Sequence, residues 1–300
     1  MILAVGEALM ELRRVETRGE LAAAGTWHGP FCSGAPAIFA SVAARLGAPT
    51  VLAAAVGDDA FGRHLTARLH RDGVGGRALS TAAGRATALA MVAYDAGGGR
   101  DFFFSVRGSA AEAVDVAAAA DAARAATWIH VSGSSIGFGD PLASAVESTV
   151  AAGLRAGARL SLDPNLRPDA PSEALQRTAA LARQASLLFP SAGELKALAL
   201  ESADLAGRGA LICTTNGPGG AELRGPGIDG LVTVSAPVVE EVDATGAGDS
   251  FAAAFLAALE CGAPPERAAA TACAVAARCV TVMGAMEAEI QPLGPAPPAD

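Results

Sequence analysis

Aromatic side chains are scarce, at 4% of the 300 residues, while alanine is abundant; this compositional bias carries no functional meaning by itself. Lys and Arg are scattered and form no run. A net charge of −9 and a pI near 5.0 argue against a nucleic-acid or anionic-membrane surface. No apolar run is long enough to span a bilayer. The opening Met1-Ile-Leu-Ala-Val-Gly reads as a strand rather than a secretory signal, with Glu7 and Glu11 soon after. Cys32, Cys213, Cys261, Cys273 and Cys279 form an odd set with no Cys-x-x-Cys pair, so free thiols in a reducing, cytoplasmic setting are expected. The histidines, His28, His64, His70 and His130, show no metal-ligand spacing. What is plentiful is apolar residues. At 51% they supply a sizeable core for one large domain, or a domain with a small appendage.

The most informative stretch is Glu241-Val-Asp-Ala-Thr-Gly-Ala-Gly-Asp-Ser-Phe251. Gly246 and Gly248 let the backbone turn tightly and leave its N–H groups uncovered. Asp249 is placed to cap a helix, and Phe251, Ala252, Phe255, Leu256 and Leu259 follow at helical spacing until Gly262-Ala263-Pro264. A glycine loop feeding a helix N-terminus gathers free N–H donors and the positive end of the helix dipole, which suits a phosphate. A carboxylate at the same spot repels phosphate but can take a proton from an attacking hydroxyl, so the pair suggests phosphoryl transfer. On these residues alone a plain turn remains open. The stretch is not a dinucleotide fingerprint, because Phe251 holds the third glycine position. Nor is it a Walker A loop, because no lysine follows the glycines.

The rest of the chain alternates strands and helices. Ile2–Val5 reads as a buried strand, and the charges just beyond it, Glu7 and Glu11, fit either a solvated strand exit or the ligand rim of an open α/β sheet. Residues 13–31 read as a polar hairpin. Ser33-Gly34-Ala35-Pro36 opens a helix to Gly47, and Pro49–Val56 is a strand. Gly57-Asp58-Asp59 opens a helix to His70 or Asp72, the two acids reading as an N-cap and first-turn pair or, alternatively, as metal ligands. Thr87–Tyr94 and Asp101–Val106 form a hairpin around Ala96-Gly97-Gly98-Gly99. From residue 115, helices at 115–125, 141–156 and 172–184 alternate with strands at 128–131, 159–162, 186–189 and 210–214, which makes a parallel sheet with right-handed crossovers. Further strands are expected near 231–234 and 238–242, a last helix from Pro265 to about Val282, and a loose tail over 292–300. Ser132–Ser135, Asp163–Arg167, Ser191–Glu194 and Gly246–Asp249 should share the rim at the strands' carboxyl ends.

Asp243-Ala-Thr-Gly-Ala-Gly-Asp249 resembles the C-terminal signature of the ribokinase-like (PfkB-type) sugar kinases. The resemblance implies one kinase domain over residues 1–300, with a three-layer α/β/α core and a mainly parallel sheet. It also implies a small β-sheet lid inserted from residues 8–31 and 77–109, which would double as a homodimer contact. It makes Asp249 the catalytic base and the amides of Gly246, Ala247, Gly248 and Asp249 the anion hole for a phosphoryl group from ATP. The substrate loop resembles Gly-Gly-x-x-x-Asn-x-Ala, with Ser33 for the first Gly and Ile38 for the Asn. The sugar contacts implied are Glu11, Gly34, Arg107, Ile136 and Arg167. Those of the nucleotide are Ser191, Thr214, Asn216, Gly217, Gly219, Cys279 and Met283, and Glu194 would reach Mg2+ through water. Arg107, Arg167 and the Ser191-x-x-Glu194 variant resemble 2-keto-3-deoxygluconate kinases, so that sugar acid is the expected substrate. Fructose or another neutral sugar is the alternative, and a silent sugar-binding module the least favoured reading.

Overall fold

Period-two alternation accounts for the first strand, β1 (Ile2–Val5). Ile2 and Ala4 join the core on one face of the sheet, Leu3 and Val5 the core on the other, and all four are fully buried. The computed structural model describes residues 1–16, 20–94, 99–167 and 169–294. The other strands are β2 (Leu9–Arg14), β3 (Trp27–Ser33), β4 (Thr50–Gly57), β5 (Leu79–Ala82), β6 (Ala88–Tyr94), β7 (Arg100–Ser105), β8 (Trp128–Ser132), β9 (Arg159–Asp163), β10 (Leu187–Leu188), β11 (Leu211–Thr215), β12 (Ala221–Arg224) and β13 (Val232–Val234).

Among the described residues nine strands form one sheet, ordered β13-β12-β11-β10-β9-β8-β1-β4-β5, parallel except for the antiparallel β11–β12–β13 edge. The chain leaves β1 toward β4 and β5, then returns to β8 on β1's other side. That reversal leaves a crevice beyond the carboxyl end of β1, where open α/β sheets bind ligands. Helices Ala35–Arg45, Ala60–Arg71, Ala247–Glu260 and Pro265–Cys279 cover one face, and helices Val116–Arg124, Leu142–Arg155 and Ser172–Ala182 the other. The three-layer core is therefore as expected. No helix of the described residues is long and apolar enough to cross a membrane.

The appended sheet has the order β3-β2-β6-β7. It begins later in its second half than 77–109, because β5 pairs parallel with β4 in the main sheet. The strand expected at 238–242 does not form. Pro237 offers no N–H for a ladder, and Val238, Val239 and Val242 are exposed, with no strand beside them among the described residues. The Ser132–Ser135 turn is instead the start of a short helix, Gly133–Gly137. Ala96, Gly97 and Gly98 of the expected hairpin turn and residues 295–300 of the expected tail lie outside the described residues.

His130 belongs to the core. It stacks on Phe39 at 3.7 Å and pairs with Ser161 Oγ at 3.0 Å, and burial pushes its pKa down to about 3, which keeps it neutral. Phe255 is a second anchor, fully buried with its ring 5.3 Å from that of Phe189. Phe255→Ala should cost about 3–5 kcal/mol in urea unfolding, as large-to-small core changes do; a loss below about 1 kcal/mol would show that this face of the core can collapse around the gap.

Candidate active site

The central loop turns into the helix Ala247–Glu260 through Gly246, whose φ of 77° lies in the left-handed region. A Cβ there would stand 2.9 Å from Ala285 Cβ and 3.2 Å from Ile38 Cγ2, so conformation and space both demand glycine. This left-handed residue is itself the cap, so Asp249, expected at the cap, stands in the first turn instead. No side chain caps the helix. The first-turn N–H groups of Gly248 and Asp249 therefore have no intrahelical acceptor and point out of the helix end. Asp249 is buried, and its Oδ1 has no hydrogen-bond partner. Burial first, then the neighbouring negative charge of Glu7, push its carboxyl up to about 7 against the pull of Arg167.

Four more carboxylates close around it. Glu7, at the exit of β1, accepts from Ser134 Oγ at 3.0 Å and from Ser135 Oγ, and burial raises its pKa. Asp163 ends β9 and accepts the N–H of Asn165 at 3.0 Å, where Asn165 has a positive φ of 38°. Burial, then the charges of Glu194 and Asp249, hold Asp163 well above the usual carboxylate range. Glu194 spends both oxygens on backbone donors, Leu166 N–H at 2.6 Å and Ser191 N–H at 2.7 Å, and so clamps two rim loops together. Glu11 comes from lid strand β2 and accepts from Ser33 Oγ at 3.0 Å. Burial, with Asp243 adding negative charge, pushes it up to about 7.

Arg167 is the one cation among the described residues lining this cleft. Its guanidinium lies 5.1 Å from the ring centroids of both Phe102 and Phe104, and its Nε is buried without a partner. The cleft encloses ≈ 420 Å³; a second one of ≈ 520 Å³ lies beyond the wall made by Arg167, Phe102, Phe104, Asn165 and Leu166.

The cleft brings together Asp249, Gly246, Ala247, Gly248, Glu11, Gly34, Arg167, Ser191 and Glu194 of the predicted residues. It does not include Arg107. Phe102 and Phe104 of β7 line the cleft, whereas Arg107 stands in the exposed turn after the strand ends at Ser105, so the expected carboxylate contact is absent from this cleft. Ile136, also expected at the sugar, is 1% exposed and packed in the core by the short helix that carries it. Thr214 lies near the end of β11, and Asn216, Gly217 and Gly219 on the β11–β12 turn, all outside both clefts. They connect to the rim through a bridge between Ser191 and Thr215. Cys279 lines neither cleft; it is buried with its thiol pushed up by burial, which leaves it unreactive, and Met283 touches Arg13 of the lid. Sequence reasoning did not commit to Glu7, Asp163 or the Phe102–Phe104 pair; the clearest available signal was an acid directly after a buried parallel strand.

A general family model, pfkB family carbohydrate kinase, matches residues 1–291. The chain belongs to this family. A relative, a fructokinase from Klebsiella pneumoniae, is 32% identical over 277 residues, covering 85% of this chain and 87% of that protein. Among solved structures, a protein described as ribokinase II from E. coli superposes with a TM-score of 0.89 at 31% identity, covering 97% of this chain and 96% of that one. Its complex with ATP and Mg2+ gives 0.88 at 31% identity, with 97% and 96% covered. The protein is thus a carbohydrate kinase with the ribokinase-like fold.

Glu11 makes the electrostatics testable. Folding raises its pKa from 4.5 to about 7, so the protonated form is the one the fold favours. The stability it contributes is therefore present below 4.5 and lost as pH rises through 7. Glu11→Gln, which keeps the volume and an acceptor for Ser33, should gain stability over wild type across that window, by about 1–3 kcal/mol above it in urea unfolding. A pH-independent difference would contradict the shift.

Proposed function

We propose that the chain transfers the γ-phosphoryl group of ATP to a sugar hydroxyl, with Asp249 as general base. The observation that carries this reading is the unpartnered Oδ1 of Asp249 beside first-turn amides that have no acceptor. A base must accept a proton near the operating pH, and a carboxyl near 7 does so far better than an ordinary one. Asp249 takes the proton as the hydroxyl oxygen attacks phosphorus. The N–H groups of Gly248 and Asp249 hold the equatorial oxygens as charge spreads over them. Glu11 and the backbone at Gly34 orient the sugar, and lid strands β2, β6 and β7 exclude water that would otherwise compete as acceptor.

ATP's phosphates fit the amide cradle, and the bridge from Ser191 to Thr215 supports a path for the nucleotide toward the β11–β12 turn. No cluster of three or more His, Cys, Asp or Glu among the described residues suits a direct metal site. Glu194, with both oxygens already accepting backbone N–H groups, fits contact with Mg2+ through water. When bound, Mg2+ would neutralise charge on the transferred phosphate.

For the acceptor, the fructokinase relatives support a neutral ketohexose such as fructose. A sugar acid of the 2-keto-3-deoxygluconate type is the second reading. It rests on Arg167, a guanidinium with a buried, unpartnered Nε in the cleft wall, and it loses Arg107 as a second clamp. Asp249→Asn should lower kcat by about 10²-fold or more with little change in KM; near wild-type turnover would remove Asp249 from the chemistry. In wild type, kcat/KM should fall as pH drops below about 7, because the base becomes protonated. An ADP-release assay across fructose, ribose, gluconate and 2-keto-3-deoxygluconate decides the acceptor. If fructose is preferred, Arg167→Met should leave the ranking unchanged. If the acid is preferred, it should abolish that preference.

A further inference from the structure

One tie between the catalytic loop and the lid runs through a buried carboxylate that the chemistry above does not use. Asp243 begins the loop, and its side chain is 1% exposed. Its Oδ1 accepts the N–H of Thr245 at 3.1 Å, and its Oδ2 accepts the N–H of Gly284 at 3.0 Å. Its counter-charge comes from lid strand β2: Arg13 Nη1 stands 3.2 Å from Asp243 Oδ1 and also donates to the Val242 carbonyl at 3.0 Å. The guanidinium lies 4.4 Å from the ring centroid of Tyr94, on lid strand β6. The Tyr94 hydroxyl in turn reaches Asp243 Oδ1 and Thr245 Oγ1, each at 3.3 Å. Two neighbouring lid strands thus grip Val242, Asp243 and Thr245, the residues just ahead of Gly246.

A carboxylate this deeply buried is costly without a paired charge, so removing the arginine should free Asp243 to seek water and take the loop with it. We propose that Arg13 is a positioning residue: it touches neither sugar nor phosphate, but holds the 243–249 loop with its amides aimed at the transferred group, so that the seated lid and the formed anion hole are one state. Arg13 sits two positions beyond Glu11 on the same strand, so the strand that presents Glu11 to the sugar also carries the tie to the loop. The inference rests on the reading of Asp249 and its amides as the phosphoryl site.

The test compares wild type, Arg13→Met, Arg13→Ala and Arg13→Lys, each checked by thermal unfolding. Two readouts are used, ADP release with ATP, Mg2+ and the preferred sugar, and amide hydrogen exchange over residues 243–249. Arg13→Met should lower kcat by about 10- to 100-fold, as misplaced catalytic groups do, while KM for the sugar stays within about threefold. Arg13→Lys should fall in between, millimolar guanidinium should restore part of the Arg13→Ala rate, and exchange at 243–249 should quicken in the Met variant while the core strands stay protected. Wild-type kcat in Arg13→Met overturns the proposal. So does unchanged exchange at the loop, and so does a loss of rate that only follows loss of thermal stability and is not relieved by guanidinium. If wild type itself turns over no sugar, the kinase reading of the site fails separately, and loop exchange alone still decides whether Arg13 holds the loop.

Discussion

The site depends on an ionisable carboxylate kept out of water in the first turn of a helix. Two opposed influences act on Asp249. Arg167 favours its charged form; desolvation, then the nearby Glu7, favour the neutral one. The balance leaves it near 7, where it can both lose and accept a proton under ordinary conditions. Moving the same aspartate to the protein surface would remove the desolvation and return it to a weak base. The burial of Glu7 behind two serine hydroxyls and the closing of the rim by Glu194 therefore shape the electrostatics of the cleft as well as its packing.

The sheet explains why these groups meet. Because β1 has β4 on one side and β8 on the other, the loops leaving β1 and β8 diverge and open a crevice. The exits of β1 and β9 deliver Glu7 and Asp163 to it, and the helix Ala247–Glu260, packed on the face that carries Ile2 and Ala4, delivers Asp249. The appended sheet has a different task. Its strands β2 and β7 roof the crevice with Glu11, Phe102 and Phe104, which puts a carboxyl group and an apolar cover over the same space.

Local signals made much of this legible. Alternation and glycine punctuation marked the strands and helices of the core, and the Gly246–Asp249 stretch pointed to an anion site with a base on a helix end. The misreadings came from terms that a linear pattern does not carry. Val238–Val242 has a strand's composition, but among the described residues it joins no sheet, and Leu79–Ala82 pairs with β4 although the stretch around it leads into the lid. Arg107 has the right chemistry for a sugar acid, but β7 ends at Ser105 and the turn that follows leaves the arginine exposed outside the cleft. Arg13 gave no signal because its carbonyl partner, Val242, is 229 positions away and only the docking of the lid brings them together.

The central claim is that this cleft passes a phosphoryl group to a sugar and keeps water out. Phosphorus NMR of the wild-type chain with ATP, Mg2+ and fructose, with 2-keto-3-deoxygluconate in a parallel sample, tests it directly. The account predicts a new phosphomonoester signal in at least one sample, growing in step with ADP and with little inorganic phosphate. Inorganic phosphate and ADP without a sugar ester would mean that water is the acceptor and would contradict the account.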